Sequence, residues 1–108
     1  MALIVLDVAL DTIGSLRPLA HQIARKDKSL ANQLRRSASS ITLNIGEADY
    51  SDPGNARARF HTAAGSAGET RLALLTAMAW GYLEESQCRH ALSQLDRILG
   101  MLWGLTKR

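Results

Sequence analysis

Cysteine is almost absent from this sequence, which rules out a fold held together by internal disulfide bonds. The 108 residues include a single cysteine, Cys88, and an internal disulfide needs two. A lone thiol suits a reducing compartment, so we expect a cytoplasmic protein. The apolar start of the chain lacks the basic segment and the cleavage site of a signal peptide, and we expect none.

Proline and long apolar runs are also scarce. Only two prolines occur, and no apolar run approaches the ~20 residues that a helix needs to cross a bilayer. Hydrophobic residues make up 46% of the chain and charged residues 21%, a balance typical of a globular protein rather than a disordered one. We therefore predict one domain over residues 1–108 and no association with a membrane.

Patterns that bind metals or carry out catalysis are missing as well. The three histidines have no metal-ligating neighbour three or four residues further along the chain: His21, His61 and His90. Cys88 belongs to an apolar helical stripe, which favours a place in the core over a role as a nucleophile. One serine cluster has no histidine or acid placed to activate it: Ser37, Ser39 and Ser40. The sequence predicts a protein that is not an enzyme and that carries no cofactor.

The apolar residues that are present recur at spacings of three and four, the pattern of a helix with one buried face. This pattern predicts a first helix from about Leu3 to Arg25, kinked but not broken at Pro18. A second helix begins after Asp27 or Ser29, either of which could cap it, and it ends near Glu47–Ala48.

The second half of the chain predicts two more helices. The third runs from Pro53 to about Leu83, with Asp52 as its cap and proline at its first position. The segment Gly81–Glu85 marks a turn, and the last apolar stripe, Cys88–Leu105, predicts a fourth helix. Four helices with short connections predict an all-α fold, an antiparallel up-down four-helix bundle.

The third and fourth helices are more apolar than one bundle core requires. Between Leu72 and Leu83 the only polar side chains are Thr76 and Tyr82, so this segment is hydrophobic on every side. The apolar side chains that one core cannot cover predict self-association through six residues: Leu72, Leu75, Trp80, Leu83, Met101 and Trp103. The alternative is that a tight bundle covers these side chains itself.

The net charge of +3 is unevenly distributed along the chain. Around the predicted turn between the first two helices the cations outnumber the one acid, Asp27, and such a surface attracts phosphate. We predict that five residues contact nucleic acid: Arg17, Arg25, Lys26, Lys28 and Arg36. The alternative is a solvated face without a ligand.

The segment Gln33–Glu47, QLRRSASSITLNIGE, resembles the signature of the four-helix bundle proteins encoded by 23S rRNA intervening sequences. Later landmarks of that family match in the same order: Phe60, Ala64–Ser66, Glu69 and Gly81–Leu83. The resemblance implies an up-down bundle that assembles into a homopentameric ring. A relative, the accessory variability determinant of diversity-generating retroelements, is a basic pentamer that binds a reverse transcriptase and RNA. The resemblance therefore also implies RNA or a reverse transcriptase as a partner.

Four polar residues lie within or beside the apolar stripes of the second and third helices: Arg35, Asn44, Glu47 and Glu69. Because buried charges need partners, we predict a structural polar core in which Arg35 pairs with Glu47 or Glu69. Glu69→Ala is then expected to destabilise the fold more than Glu84→Ala, since Glu84 should be solvated.

These patterns together predict an oligomeric bundle that binds structured RNA or a ribonucleoprotein partner through its basic surface. The alternative is a protein-binding scaffold in which the charge is incidental. The salt dependence of RNA affinity distinguishes the two functions, because phosphate contacts weaken steeply as salt rises.

Overall fold

The protein folds as helices connected by short turns. The computed structural model describes the backbone of residues 2–107 and the side chains of residues 4–107; Met1 and Arg108 of the predicted domain lie outside the described residues. Within this part of the chain there are four α-helices and no strand: α1 (Ala2–Ala24), α2 (Lys28–Ala48), α3 (Pro53–Ala79) and α4 (Glu85–Thr106). The predicted all-α class and the predicted number of helices are confirmed.

Two aspartates cap the helices that follow them. The Asp27 carboxylate accepts the backbone N–H of Leu30 at 2.9 Å, so the first of the two predicted candidates is the cap of α2. The Asp52 carboxylate accepts the backbone N–H of Asn55 at 3.0 Å, and Pro53 is the first residue of α3. This backbone hydrogen bond, joined by a second one from the Asn55 side chain, lowers the pKa of Asp52 below its ordinary value.

Helix α1 is one continuous helix although Pro18 lies inside it. Proline removes one backbone donor and crowds the carbonyl four residues earlier, which belongs to Gly14. Both residues are exposed, and the buried face of the helix continues from Leu16 to Leu19 across the proline. The predicted continuity is confirmed.

The predicted end of α3 at Leu83 is wrong. The helix ends at Ala79, and Gly81 adopts a left-handed backbone conformation with a φ of 79°. The N–H groups of Gly81 and Tyr82 donate to carbonyls in the last turn of α3, at 3.0 and 2.8 Å. These two hydrogen bonds satisfy the end of the helix and turn the chain toward α4.

Consecutive helices run antiparallel around one core. Ser37 on α2 faces Thr70 on α3, whereas Ser40, further along α2, faces Ser66, which lies earlier on α3. Helix α1 packs against α4 as well as α2, so each of the four helices contacts two neighbours around the core. The longest dimension of the bundle, 42 Å, is close to the length of the 27-residue α3, about 40 Å at 1.5 Å per residue.

The core takes one apolar face from each helix. Ile23, Leu34, Leu74 and Leu95, one from each helix in turn, are buried to within 1% of complete burial. Because burial of such a side chain stabilises the fold by about 1.5–3 kcal/mol, these residues hold the helices together. No helix in the described part of the chain combines the length and the apolarity that crossing a membrane requires.

One end of the bundle is tied together by Tyr82 in the α3–α4 turn. Its hydroxyl donates to the Asp27 carboxylate at 3.3 Å, and its backbone carbonyl accepts the side-chain amide of Gln22 at 3.0 Å. Burial raises the pKa of the Tyr82 phenol above its ordinary value, and the negative charge and the hydrogen bond of Asp27 add to this effect. The α1–α2 and α3–α4 turns therefore lie together at this end.

Gly81→Ala is expected to destabilise the protein by about 1–2 kcal/mol, because a β-carbon disfavours the left-handed conformation. Gly100→Ala in α4 is the matched control: its new β-carbon would meet nothing within 4 Å. That variant should stabilise the protein by up to ~1 kcal/mol, since alanine is the better helix former. Urea unfolding followed by circular dichroism measures both. Shifts of the same sign and size would contradict this role for Gly81.

Candidate functional site

Five exposed cations surround the turn between α1 and α2 and extend along both helices. We call them the basic edge: Arg17 on α1, Arg25 and Lys26 in the turn, and Lys28 and Arg36 on α2. The turn brings three of them together, and the outer two lie about 12 Å further along their helices. Arg17 lines a groove between α1 and α2, whereas Arg36 faces a groove between α2 and α3.

The cations of the basic edge have no acidic partner among the described residues. None of its side chains forms an ion pair with another described residue, whereas three arginines elsewhere do: Arg59 with Glu47, Arg71 with Asp96, and Arg89 with Glu85. Asp27, in the middle of the edge, uses its two carboxylate oxygens for the α2 cap and for the Tyr82 hydroxyl. Glu84 caps α4 and Glu85 is its first residue, so the acids nearest to this end of the bundle lie on the α3–α4 side. These cations are therefore available to an external anion.

A groove of about 410 Å³ opens between α1 and α2. Its floor is apolar and is formed by small and branched side chains: Leu10, Ile13, Leu16, Ala20, Leu34 and Ala38. Its rim carries Arg17, His21 and Arg35, and none of its lining residues is acidic. The chemistry of this groove suits a partner that presents an apolar side chain together with a carboxylate.

The predicted polar core of Arg35, Asn44, Glu47 and Glu69 does not form within the chain. Only Asn44 is half-buried, and the three charged residues are exposed. Glu47 pairs with Arg59 instead of Arg35, and neither Arg35 nor Glu69 has an ion pair with a described residue. Each charged residue lies one position from a buried one, and a single step rotates a side chain by about 100° around the helix. The physical reason for expecting Glu69→Ala to destabilise the folded chain is thereby removed.

Small hydroxyl residues fill the interface between α2 and α3 instead. We call them the hydroxyl seam: Ser37, Ser40, Ser66 and Thr70. Thr70 Oγ1 lies 2.8 Å from Ser37 Oγ, and Ser66 Oγ donates to Ser40 Oγ at 2.8 Å. Asn44 extends the seam by donating to Ser40 Oγ at 3.0 Å. Every buried side-chain polar atom of the described residues has a hydrogen-bond partner, so the seam is fully satisfied.

The hydroxyl seam was not predicted, although the sequence contains a signal for it. Its two α2 residues are three positions apart and its two α3 residues are four apart, so each pair shares one face of its helix. In two antiparallel helices, later residues of one helix face earlier residues of the other, so Ser37 faces Thr70 and Ser40 faces Ser66. Matching these two spacings would have identified the contact.

Five of the six predicted interface residues keep surface that a partner could cover: Leu72, Leu75, Trp80, Met101 and Trp103. Three of them are more than 60% exposed, and Leu75 and Met101 are half-buried. Leu83 is the exception, because the early end of α3 turns its side chain into the core, where it is 4% exposed. Leu83 is therefore corrected from an interface residue to a core residue.

The two tryptophans lie at opposite ends of the bundle. Trp80 follows α3 and stacks on Tyr82, with ring centroids 6.3 Å apart and planes inclined by 16°. Trp103 lies near the end of α4, and the Lys107 ammonium is 4.4 Å from the centre of its ring. Each exposed indole thus has one face covered by its own chain.

Cys88 lies in the core, as predicted. Its side chain is fully buried, and burial raises the pKa of the thiol above its ordinary value. A raised thiol pKa leaves less of the reactive thiolate at neutral pH. Among the described residues there is also no group of three or more His, Cys, Asp or Glu side chains that could hold a metal ion.

Comparisons with known proteins agree on the fold. The model of the family of 23S rRNA-intervening sequence proteins matches residues 2–104. A crystal structure of a protein of unknown function, from the S23 ribosomal protein family of Bacteroides thetaiotaomicron, is similar with a TM-score of 0.89 and 22% sequence identity. The match covers 96% of this chain and 99% of that one, so the two share the four-helix fold over their whole length. No curated protein matches the sequence.

Thr70→Val is expected to destabilise the protein by about 1 kcal/mol, because it removes the buried hydrogen bond to Ser37 and keeps the side-chain shape. Thr62→Val is the matched control, since Thr62 is exposed on the same helix and bonds only to the carbonyl of Ala58. Its effect should stay within ~0.5 kcal/mol. A double-mutant cycle of Thr70→Val with Ser37→Ala, read by urea unfolding, measures the coupling. Strict additivity would show that the two hydroxyls do not interact.

Proposed function

The chain belongs to the 23S rRNA-intervening sequence protein family, as the segment Gln33–Glu47 predicted, and on this premise we propose that it is a non-enzymatic, oligomeric module that binds RNA. The observation that carries the proposal is the basic edge. Its five cations are exposed and have no acidic partner among the described residues. Unpaired cations at this density attract the phosphates of a nucleic acid.

The RNA ligand is a structured one that is held by its backbone. Lysine and arginine neutralise phosphates whatever the base sequence. Recognition of unpaired bases uses exposed aromatic side chains for stacking, and residues 1–48, which include α1, the turn, α2 and the whole signature segment, contain no Phe, Tyr or Trp. The exposed Trp80, at the same end of the bundle, is already stacked on Tyr82. The basic edge therefore suits the regularly spaced phosphates of a folded RNA better than a single strand.

Assembly is the second part of the proposed function. Three of the predicted interface residues have large apolar side chains that are exposed by 62%, 68% and 65%: Leu72, Trp80 and Trp103. Covering apolar side chains of this size with a partner removes them from water, which favours association. We propose the homopentameric ring that the family resemblance implies. A ring carries one basic edge per subunit, and linked copies bind a long RNA more tightly than one copy does, without any new contact.

The oligomer is expected to have a mass of about five times 11.8 kDa. Light scattering coupled to size-exclusion chromatography measures this mass directly at micromolar concentration. Leu72→Ser should lower it by weakening the subunit contact, whereas Tyr50→Ser should leave it unchanged. Tyr50 is the matched control because it is the most exposed aromatic residue, at 93%, and it was not predicted to lie in the interface. A monomer peak for the parent protein would overturn the oligomer.

The double variant Lys26→Glu, Lys28→Glu is expected to abolish retention of structured RNA at low salt and to leave assembly intact. The two residues lie at the turn, where the basic edge is densest, and each charge reversal replaces attraction for phosphate with repulsion. Fluorescence anisotropy with a labelled hairpin RNA, over a series of salt concentrations, measures the affinity. A variant that removes only one phosphate contact should lower the slope of log affinity against log salt by ~1.

The matched control is Arg97→Glu, Lys107→Glu, which changes the net charge equally but on α4 and at its C-terminal cap, away from the basic edge. If this control loses RNA binding as completely as the first variant, net charge alone is responsible. If the parent protein binds no RNA at low salt, the scaffold alternative replaces the RNA-binding function.

A further inference from the structure

Arg35 and Glu69 carry opposite charges that no other described residue neutralises. Both are exposed, but they lie on different sides of α2. Arg35 lines the groove between α1 and α2, whereas Glu69 lines the groove between α2 and α3. Arg36 lines that second groove too, yet it forms no ion pair with Glu69. Because α2 separates Arg35 from Glu69, the two can meet only between two copies of the chain.

We propose that the α1–α2 groove of one copy binds the α3 edge of a second copy. In this contact Arg35 pairs with Glu69 of the second copy, and Leu72 of the second copy lies on the apolar floor of the groove. The proposal rests on the oligomer proposed above and specifies which surfaces build it.

The two surfaces both have apolar area to cover. The groove has a volume of about 410 Å³, and its floor includes Leu10, which is 54% exposed in the single chain. The α3 edge presents Leu72, which is 62% exposed and lies three residues after Glu69. Residues three apart share one face of a helix, so an apolar side chain and a carboxylate project together. Docking them into the groove removes both apolar surfaces from water.

The charges of the two surfaces are complementary. The groove rim carries His21, Arg35 and Arg17, the one residue of the basic edge that this contact covers, and none of the lining residues is acidic. Five acids elsewhere in the chain are already engaged, three in ion pairs and two as helix caps: Glu47, Glu85, Asp96, Asp27 and Asp52. Glu69 has no such partner and lies beside an exposed apolar side chain. An ion pair at the edge of a dry contact is also less screened than one in open solvent.

The proposed contact also accounts for a ring. The groove and the α3 edge are different surfaces of the same chain, so each copy uses its groove for one neighbour and its α3 edge for another. Such a head-to-tail contact generates a closed ring when the rotation between neighbours closes, and an open filament when it does not.

Charge reversal and charge exchange test the contact. Arg35→Glu and Glu69→Arg are each expected to raise the concentration needed for assembly at least 10-fold, because each places like charges across every contact. The exchange variant Arg35→Glu, Glu69→Arg should restore assembly, since the pair is rebuilt with its signs reversed. Lys26→Glu is the matched control for Arg35→Glu, with the same change of charge outside the contact. Light scattering over a dilution series measures assembly, and circular dichroism checks that each exposed substitution leaves the fold intact.

The outcomes separate this contact from the oligomer on which it rests. If the parent protein assembles and both single reversals assemble equally well, the Arg35–Glu69 contact is wrong and the oligomer stands. If the single variants dissociate and the exchange variant does not recover, the two residues do not pair with each other. If the parent protein is a monomer throughout the dilution series, the oligomer itself is overturned, and this contact with it.

Discussion

The hydroxyls buried between α2 and α3 determine how these two helices lie against each other. Each hydrogen bond between the two helices adds about 0.5–1.5 kcal/mol, so the hydroxyl seam favours the register in which both facing pairs form. A slip of α3 by one residue would rotate its two hydroxyls away from α2 by about 100°. Since α2 carries much of the basic edge and one wall of the α1–α2 groove, the seam also fixes where these surfaces lie relative to α3.

Signals carried by adjacent residues predicted the helices well, whereas the contacts between residues far apart in the sequence were harder to predict. Asp52 followed by Pro53 marks a helix start from two adjacent residues, and the structure has the helix there. The end of α3 was placed too late because the apolar pattern continues past Gly81, although the turn predicted at Gly81–Glu85 begins where the structure has the left-handed glycine. Arg35 was placed in a polar core because a stripe locates a side chain only to within one position, about 100°. The exposure of the basic edge was easier to anticipate, since charged side chains seldom lack solvent.

The arginines of this chain divide according to whether an acid lies near them. Arg59, Arg71 and Arg89 pair with acids of the same chain, and such exposed pairs add little to stability, ~0–1 kcal/mol each. The five cations of the basic edge form no such ion pair and remain positively charged surface on α1, the first turn and α2. Asp27 forms no ion pair with these cations, because its two carboxylate oxygens accept hydrogen bonds from the α2 backbone and from the Tyr82 hydroxyl.

The separation of the two indoles gives each end of the bundle its own optical probe. Trp80, stacked on Tyr82, lies beside the turn that carries the densest part of the basic edge, whereas Trp103 lies under Lys107 at the opposite end. A nearby ammonium shifts and quenches indole emission differently from a neighbouring phenol ring. Because the chain has only these two tryptophans, replacing either with phenylalanine leaves a protein whose fluorescence reports on one end alone. Events at the two ends of the bundle can therefore be followed separately without attaching a dye.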